Sequence, residues 1–242
     1  MALNVVILAA GLGTRLGRPY PKALTPLADG RSILRQQLDD IRAAFGTTAN
    51  VTPVVGCKLN LVMEEAAADA AFVYNEVYDQ TNTSKSLLKA LRLVADGGVL
   101  WLNGDVVFVP GLLAKLREHI EAGQTFVAVN TESVADEEIK YTLDGDGYVK
   151  ELSKQVVGGL GEAVGINFVA PADRAVLAEH LAACADDDYF ERGLETAIAE
   201  SGLRVGVVDI SAYGCVEVDF EPDLERANSL ERGPLGAAGE PW

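Results

Sequence analysis

Four residues suited to holding phosphate or metal stand far apart in this chain. Arg15 and Lys22 follow a glycine pair, Gly11 and Gly13, near the start, whereas Asp105 and Asp219 lie in two distant acidic segments. Glycines let backbone N–H groups approach an anion closely, and the two cations would neutralise it. The aspartates suit a hard divalent ion, which prefers oxygen ligands and takes few of them from protein. Such concentration is needed here, because 36 acidic against 20 basic residues give a formal charge of −16. That balance argues against nucleic acid or an anionic membrane as partner, and it leaves a triphosphate dependent on local cations and a metal.

The glycines invite three other readings. A dinucleotide fingerprint, G-x-G-x-x-G opening a helix, has its third glycine one place late at Gly17, and Pro19 and Pro21 disfavour a helix in the residues before them. A Walker loop would need G-x-x-x-x-G-K followed by Ser or Thr, which is absent. A purely structural tight turn remains open. The favoured reading is a long extended loop, 11–22, whose backbone wraps a nucleotide.

These residues require a scaffold that brings them together. Residues 4–10 form a continuous apolar run, the pattern of a strand buried on both faces. Ser32 reads as the N-cap of a helix to about Phe45; strands follow at 51–55, 72–75 and 99–103, and helices at 59–68 and 84–94. The alternation predicts an α/β fold with a mainly parallel, doubly wound sheet. The second half is less regular: a strand at 126–129, a hairpin over 141–152 turning at 144–147, a strand at 163–169, helices at 171–184 and 189–200, strands at 204–209 and 214–218, and a last helix over 221–230. One domain over 1–230 is expected, with a nucleotide-binding half to about 110 and an acceptor-binding half after it. The tail, 231–242, has linker composition.

Leu8-Ala9-Ala10-Gly11-Leu12-Gly13-Thr14-Arg15-Leu16, followed by Pro21-Lys22-Ala23-Leu24, resembles the signature of the nucleoside-diphosphate-sugar pyrophosphorylase superfamily of nucleotidyltransferases. The resemblance implies a three-layer, Rossmann-like (GT-A-like) mixed sheet flanked by helices. It implies that Leu8, Ala9, Ala10, Gly11, Gly13 and Thr14 bind the nucleotide. Arg15 would hold the departing β- and γ-phosphates, and Lys22 would act at the α-phosphate. Asp105 in Leu102-Asn103-Gly104-Asp105, and Asp219 in Val216-Glu217-Val218-Asp219, would hold Mg²⁺, with Glu217 on the same strand face in support. Asp223 reads instead as compensating the dipole of the last helix.

Asn75 to Leu87 is most similar to the bacterial choline-phosphate and phosphonate cytidylyltransferase branch, which implies CTP as nucleotide. Asn82, Ser84 and Ser86 then become candidates for reading base and ribose, although Ser84 also reads as a plain helix N-cap. Lys154 is the candidate for the acceptor phosphate, with Lys150 as fallback. Tyr189 and Glu191 suit an amine or ammonium head group, while Tyr189 and Phe190 also fit a helix core. The expected reaction moves CMP from CTP to a small phosphate or phosphonate, releasing pyrophosphate. A sugar-1-phosphate enzyme using UTP, dTTP or GTP, and a catalytically silent nucleotide-binding regulator, are the alternatives.

His119 and His180 fall in helical patterns with no ligand spacing and read as structural. Cys57, Cys184 and Cys215 are widely spaced and read as reduced thiols. Apolar runs are of strand length, short of the roughly 20 residues that span a bilayer. The first residues lack a basic leader pattern, so a cytoplasmic location is expected.

Overall fold

The first apolar run becomes β1 (Leu3–Ala9), in which every residue except Asn4 is buried. Both of its faces are covered, which explains the absence of alternation. The computed structural model describes residues 3–66, 69–94, 96–132, 134 and 138–230, so the expected tail at 231–242 lies outside the described residues. β1 pairs in parallel with β2 (Ala49–Val55) and β4 (Val99–Asn103), and β2 pairs in parallel with the short edge strand β3 (Val73–Tyr74). Beyond β4, β9 (Glu162–Val169) runs antiparallel to both β4 and β6 (Phe126–Asn130), and β10 (Gly206–Asp209) closes that edge parallel to β6. The order is β10-β6-β9-β4-β1-β2-β3, a mixed and mainly parallel sheet as expected.

Val5, Ile7 and Ala9 point into one core shared with α1 (Ile33–Phe45), α2 (Leu59–Ala66) and α4 (Gly111–Glu121). Val6 and Leu8 point into the other, which holds Trp101 and the apolar stripes of α3 (Thr83–Leu93), α5 (Arg174–Ala183) and α6 (Phe190–Ser201). The three layers follow from the two-faced burial of the strands. Ser32 caps α1 as expected, its hydroxyl accepting the Arg35 N–H at 2.9 Å. Residues 140–153 form the predicted hairpin from β7 (Lys140–Leu143) and β8 (Val149–Ser153), with Asp144 Oδ1 accepting the N–H groups of Asp146 and Tyr148.

The structure departs from expectation in three places. The stretch after Asp105, where only a helical pattern at His119 was read, contains β5 (Val106–Phe108) and α4. The late strand β11 (Cys215–Glu217) leaves the main sheet and pairs antiparallel with β5, just before α7 (Glu221–Ser229). Loop 11–22 is also not extended throughout, because 3₁₀ turns occupy Thr14–Leu16 and Lys22–Leu24. The prolines are compatible with both turns, since Pro19 follows the first and Pro21 precedes the second. Among the described residues, no helix is long and apolar enough to cross a membrane.

Candidate functional site

The small sheet explains how acidic segments more than a hundred residues apart meet. β5 leaves β4 through the turn Gly104-Asp105, and β11 delivers Glu217 and Asp219 beside it. The Val218 N–H donates to the Asp105 carbonyl at 3.0 Å, which ties the two acidic segments by their backbones. Asp105, Glu217 and Asp219 each offer a carboxylate oxygen, and these oxygens lie within 4.8 Å of one another. Among the described residues this is the one such acidic group. Asp219 lies just past the end of β11, yet it still joins Glu217 as the strand alternation implied.

Both loop cations reach this cluster. Lys22 Nζ is 3.0 Å from Asp105 and also donates to Asp219, while Arg15 is 2.6 Å from Asp219. Gly13, at φ +62°, lets the loop fold back on Lys22, because a Cβ there would sit 3.0 Å from the Lys22 nitrogen and Cγ. Gly104 serves the same end on the acidic side: its N–H donates to the Leu8 carbonyl at 3.0 Å, and a Cβ would stand 2.8 Å from that oxygen.

The electrostatics follow from this crowding. Burial works to raise the Asp219 pKa, but Lys22 and Arg15 outweigh it and hold the carboxyl below its ordinary range. Burial likewise works to lower Lys22, and Asp105 and Asp219 outweigh it, so the ammonium is held charged. Glu217 is pushed well above the ordinary range by burial, then by Asp105, Asp219 and Glu138. An all-oxygen set with one carboxyl destabilised by its neighbours fits a hard divalent cation, which would relieve that repulsion.

A cavity of about 520 Å³ opens from the cluster. Leu8, Ala9, Ala10, Gly11 and Gly13 line one side, with Arg15, Lys22, Asp105 and Asp219 beside them. Asn82 and Ser86 line it too, as do Lys154, Tyr189 and Glu191. Ser84 does not: it is fully buried, and its hydroxyl has no hydrogen-bond partner among the described residues. Nor is Ser84 the N-cap of α3, because Asn82 holds that position and accepts the Thr83 N–H at 2.8 Å. The side chain of Thr14 lies outside what the structure describes. Lys150 is exposed on β8 and does not line the cavity, whereas Lys154, just beyond the strand, has its ammonium 5.6 Å from the Tyr189 ring centroid.

The aromatic pair divides. Phe190 is core, edge-on to Trp101 at 5.5 Å, and Tyr189 is 45% exposed at the cavity. Glu191 is buried beneath it, with one carboxyl oxygen unpartnered among the described residues and a pKa pushed up to about 7 by burial. His119 pairs with Gln124, and His180 bridges Thr196 and Ser201, in line with structural roles. The cysteines are free, as expected.

Other roles escaped the sequence reading. Glu138 lines the cavity, its carboxyl pushed up by burial and then by Glu162. Asp223 accepts the backbone N–H groups of Asp219 and Phe220 at 3.1 and 2.7 Å, so it positions Asp219 as well as starting α7. Gln37, fully buried on α1, donates to the carbonyls of Asn103 and Val106 at 2.9 and 2.8 Å, clamping both sides of the turn that carries Asp105. A polar residue on the buried stripe of an amphipathic helix was the available signal. Gln37→Leu would leave those carbonyls unpaired, at about 1–3 kcal/mol each. A lower denaturation midpoint and a weaker dependence of stability on added Mg²⁺ are expected, both measurable by urea titration.

Residues 5–204 match the MobA-like NTP transferase domain, and the chain belongs to that family. It is 30% identical to a CMP-5'-(3-aminopropyl)phosphonate synthase from Streptomyces rubellomurinus, over 93% of this chain and 38% of the relative. It is 34% identical to the bifunctional protein GlmU of Paraburkholderia phytofirmans, over 84% of this chain and 46% of that protein. The chain therefore spans less than half the length of either relative. Two solved structures share the fold: the CTP:phosphocholine cytidylyltransferase of Streptococcus pneumoniae (TM-score 0.72, 19% identity, 94% of this chain and 98% of that one), and the inositol-1-phosphate CTP transferase of T. maritima (TM-score 0.76, 16% identity, 96% and 97%). At these identities the likeness is one of fold.

Proposed function

We propose that this chain transfers CMP from CTP to a small phosphonate or phosphate that carries an amine or ammonium group, releasing pyrophosphate. The observation that carries the reading is the joining, in one cavity, of Arg15 and Lys22 with three clustered carboxylates and of Lys154 with Tyr189 and Glu191. The similarity to an aminopropylphosphonate synthase supports the acceptor class.

In this reading an acceptor oxygen attacks the α-phosphorus in line, forming a P–O–P bond as the bond to the β-phosphate oxygen breaks. The acceptor is already an anion, so no residue has to remove a proton. Lys22 neutralises the α-phosphate and Arg15 the departing pyrophosphate, while Lys154 holds the acceptor's own anionic oxygens; fixed cations do most of the catalytic work in such transfers. Asp105 and Asp219, with Glu217, would hold Mg²⁺, which when bound supplies further neutralisation of the phosphates. Residues 1–110 would then serve mainly the nucleotide, and 111–230 the acceptor.

Glu191 would face the acceptor's amine. Ionised only above about pH 7, it should bind an aminoalkylphosphonate about tenfold more tightly at pH 8 than at pH 6. Comparison with Glu191→Gln separates this from the acceptor's own ionisation, and a pH dependence identical in both proteins would remove Glu191 from the acceptor site. Stability has the opposite sign. The unfolded carboxyl loses its proton near 4.5 and the folded one near 7, so the folded state binds more protons between them and stability falls as pH rises through that window. Glu191→Gln should flatten this fall.

A nucleotide panel with pyrophosphate release as readout, run with an aminoalkylphosphonate and Mg²⁺, tests the reading. CTP is expected to be preferred, and a preference for UTP, dTTP or GTP would favour the sugar-phosphate alternative.

A further inference from the structure

We infer that Asn75, a residue outside the cavity, fixes the hydrogen-bonding polarity of the wall behind the nucleobase, so that the wall matches an amino-bearing base edge and opposes uracil. This deepens the function proposed above and rests on it. Asn75 is fully buried behind the wall. Its Nδ2 donates to the hydroxyl oxygens of Thr81 and Ser86, each at 3.0 Å. Its orientation is set from behind, because the Val77 N–H donates to Oδ1 at 3.4 Å. A reversed amide would set two donors against each other.

Each hydroxyl is therefore committed in a different way. Thr81 Oγ1 gives its proton to the Val77 carbonyl at 2.8 Å and accepts from Asn75. Toward the cavity it has only a lone pair to offer. Ser86 accepts from Asn75 and keeps its own proton free to donate. Both residues line the cavity, and both oxygens lie 3.0 Å from one nitrogen, within reach of neighbouring positions on one base edge.

An acceptor beside a donor is the complement of cytosine, whose 4-amino group donates and whose N3 accepts. Uracil presents the reverse, an O4 acceptor and an N3–H donor: its O4 would meet the Thr81 lone pair, and Ser86 would have to turn its proton away to accept from N3–H. Adenine carries the same amino-beside-acceptor edge as cytosine, so ATP belongs in the test.

Asn75→Asp replaces the shared donor by oxygens that only accept, which draws the Ser86 proton away from the cavity. The CTP-to-UTP ratio of kcat/KM should fall by about tenfold or more. A merely structural role would lower both nucleotides together and leave the ratio unchanged, and that result in a folded variant overturns the inference. A second measurement avoids burying a carboxylate. In the unmutated enzyme, CTP with C–H in place of N3 should lose about tenfold in kcat/KM, and in Ser86→Ala that penalty should vanish. No penalty in the unmutated enzyme also overturns the inference. Failure of the parent reading looks different, because the unmutated enzyme would then turn over neither CTP nor its analogue, or would prefer ATP.

Discussion

Asp219→Ala is expected to lower the rate of pyrophosphate release by about a thousandfold or more, the largest effect of any single change in the chain. Asp219 contacts both loop cations, Arg15 at 2.6 Å and Lys22 through its other oxygen, and shares its cluster with Asp105 and Glu217. Removing it takes away an oxygen proposed to hold the metal and frees both cations from the geometry in which phosphate would meet them. The fold should survive, because the carboxylate lies at a partly open cavity wall and its backbone is held independently by Asp223. Circular dichroism close to that of the unmutated protein, together with lost turnover, is the expected pair of results. Turnover within tenfold of the unmutated enzyme would remove Asp219 from the metal site.

Lys22→Met should cost about a hundred- to a thousandfold in kcat, the scale seen when one fixed group stabilising transition-state charge is lost. Methionine keeps the stem against which Gly13 folds, so the loop is expected to stay in place. The effect should fall mainly on kcat, since the ammonium acts on the α-phosphate oxygens, whose charge is redistributed in the transition state. A rise in KM for CTP with kcat unchanged would make Lys22 a binding group alone. Stability at neutral pH without metal should fall, because the carboxylates lose the cation that offsets their repulsion. The buried ammonium and its ion pairs are lost together, and Asp105 and Asp219 are left facing one another until Mg²⁺ is added.

The parts of this chain that were legible in sequence are those whose signal is local. The run at 4–10, the Ser32 cap and the turn at 144–147 each carry their cause within a few residues, and all three formed where they were read. The glycine loop was legible as chemistry but less so as conformation, because 3₁₀ turns of three residues have no periodicity to read. β5 was not read at all, and β11 was read as a strand at 214–218 without its partner: each is three residues long, and they pair with one another across about a hundred residues. That pairing is also what brings Asp105 to Asp219, so the motifs named the acidic residues without showing how they meet. Gln37, Asn75 and Asp223 act through other residues' backbones and hydroxyls, which no spacing rule reports. Ser84 shows the converse, a serine in a suggestive run that turns into the core.

The central proposal, formation of a CMP–phosphonate linkage, can be seen directly by ³¹P NMR of the enzyme with CTP, Mg²⁺ and an aminoalkylphosphonate. Two mutually coupled resonances, one from the phosphonate and one from the CMP phosphorus, should grow in step with inorganic pyrophosphate. An unaltered phosphonate signal while CTP stays intact, or while it is merely hydrolysed to CMP, would contradict it.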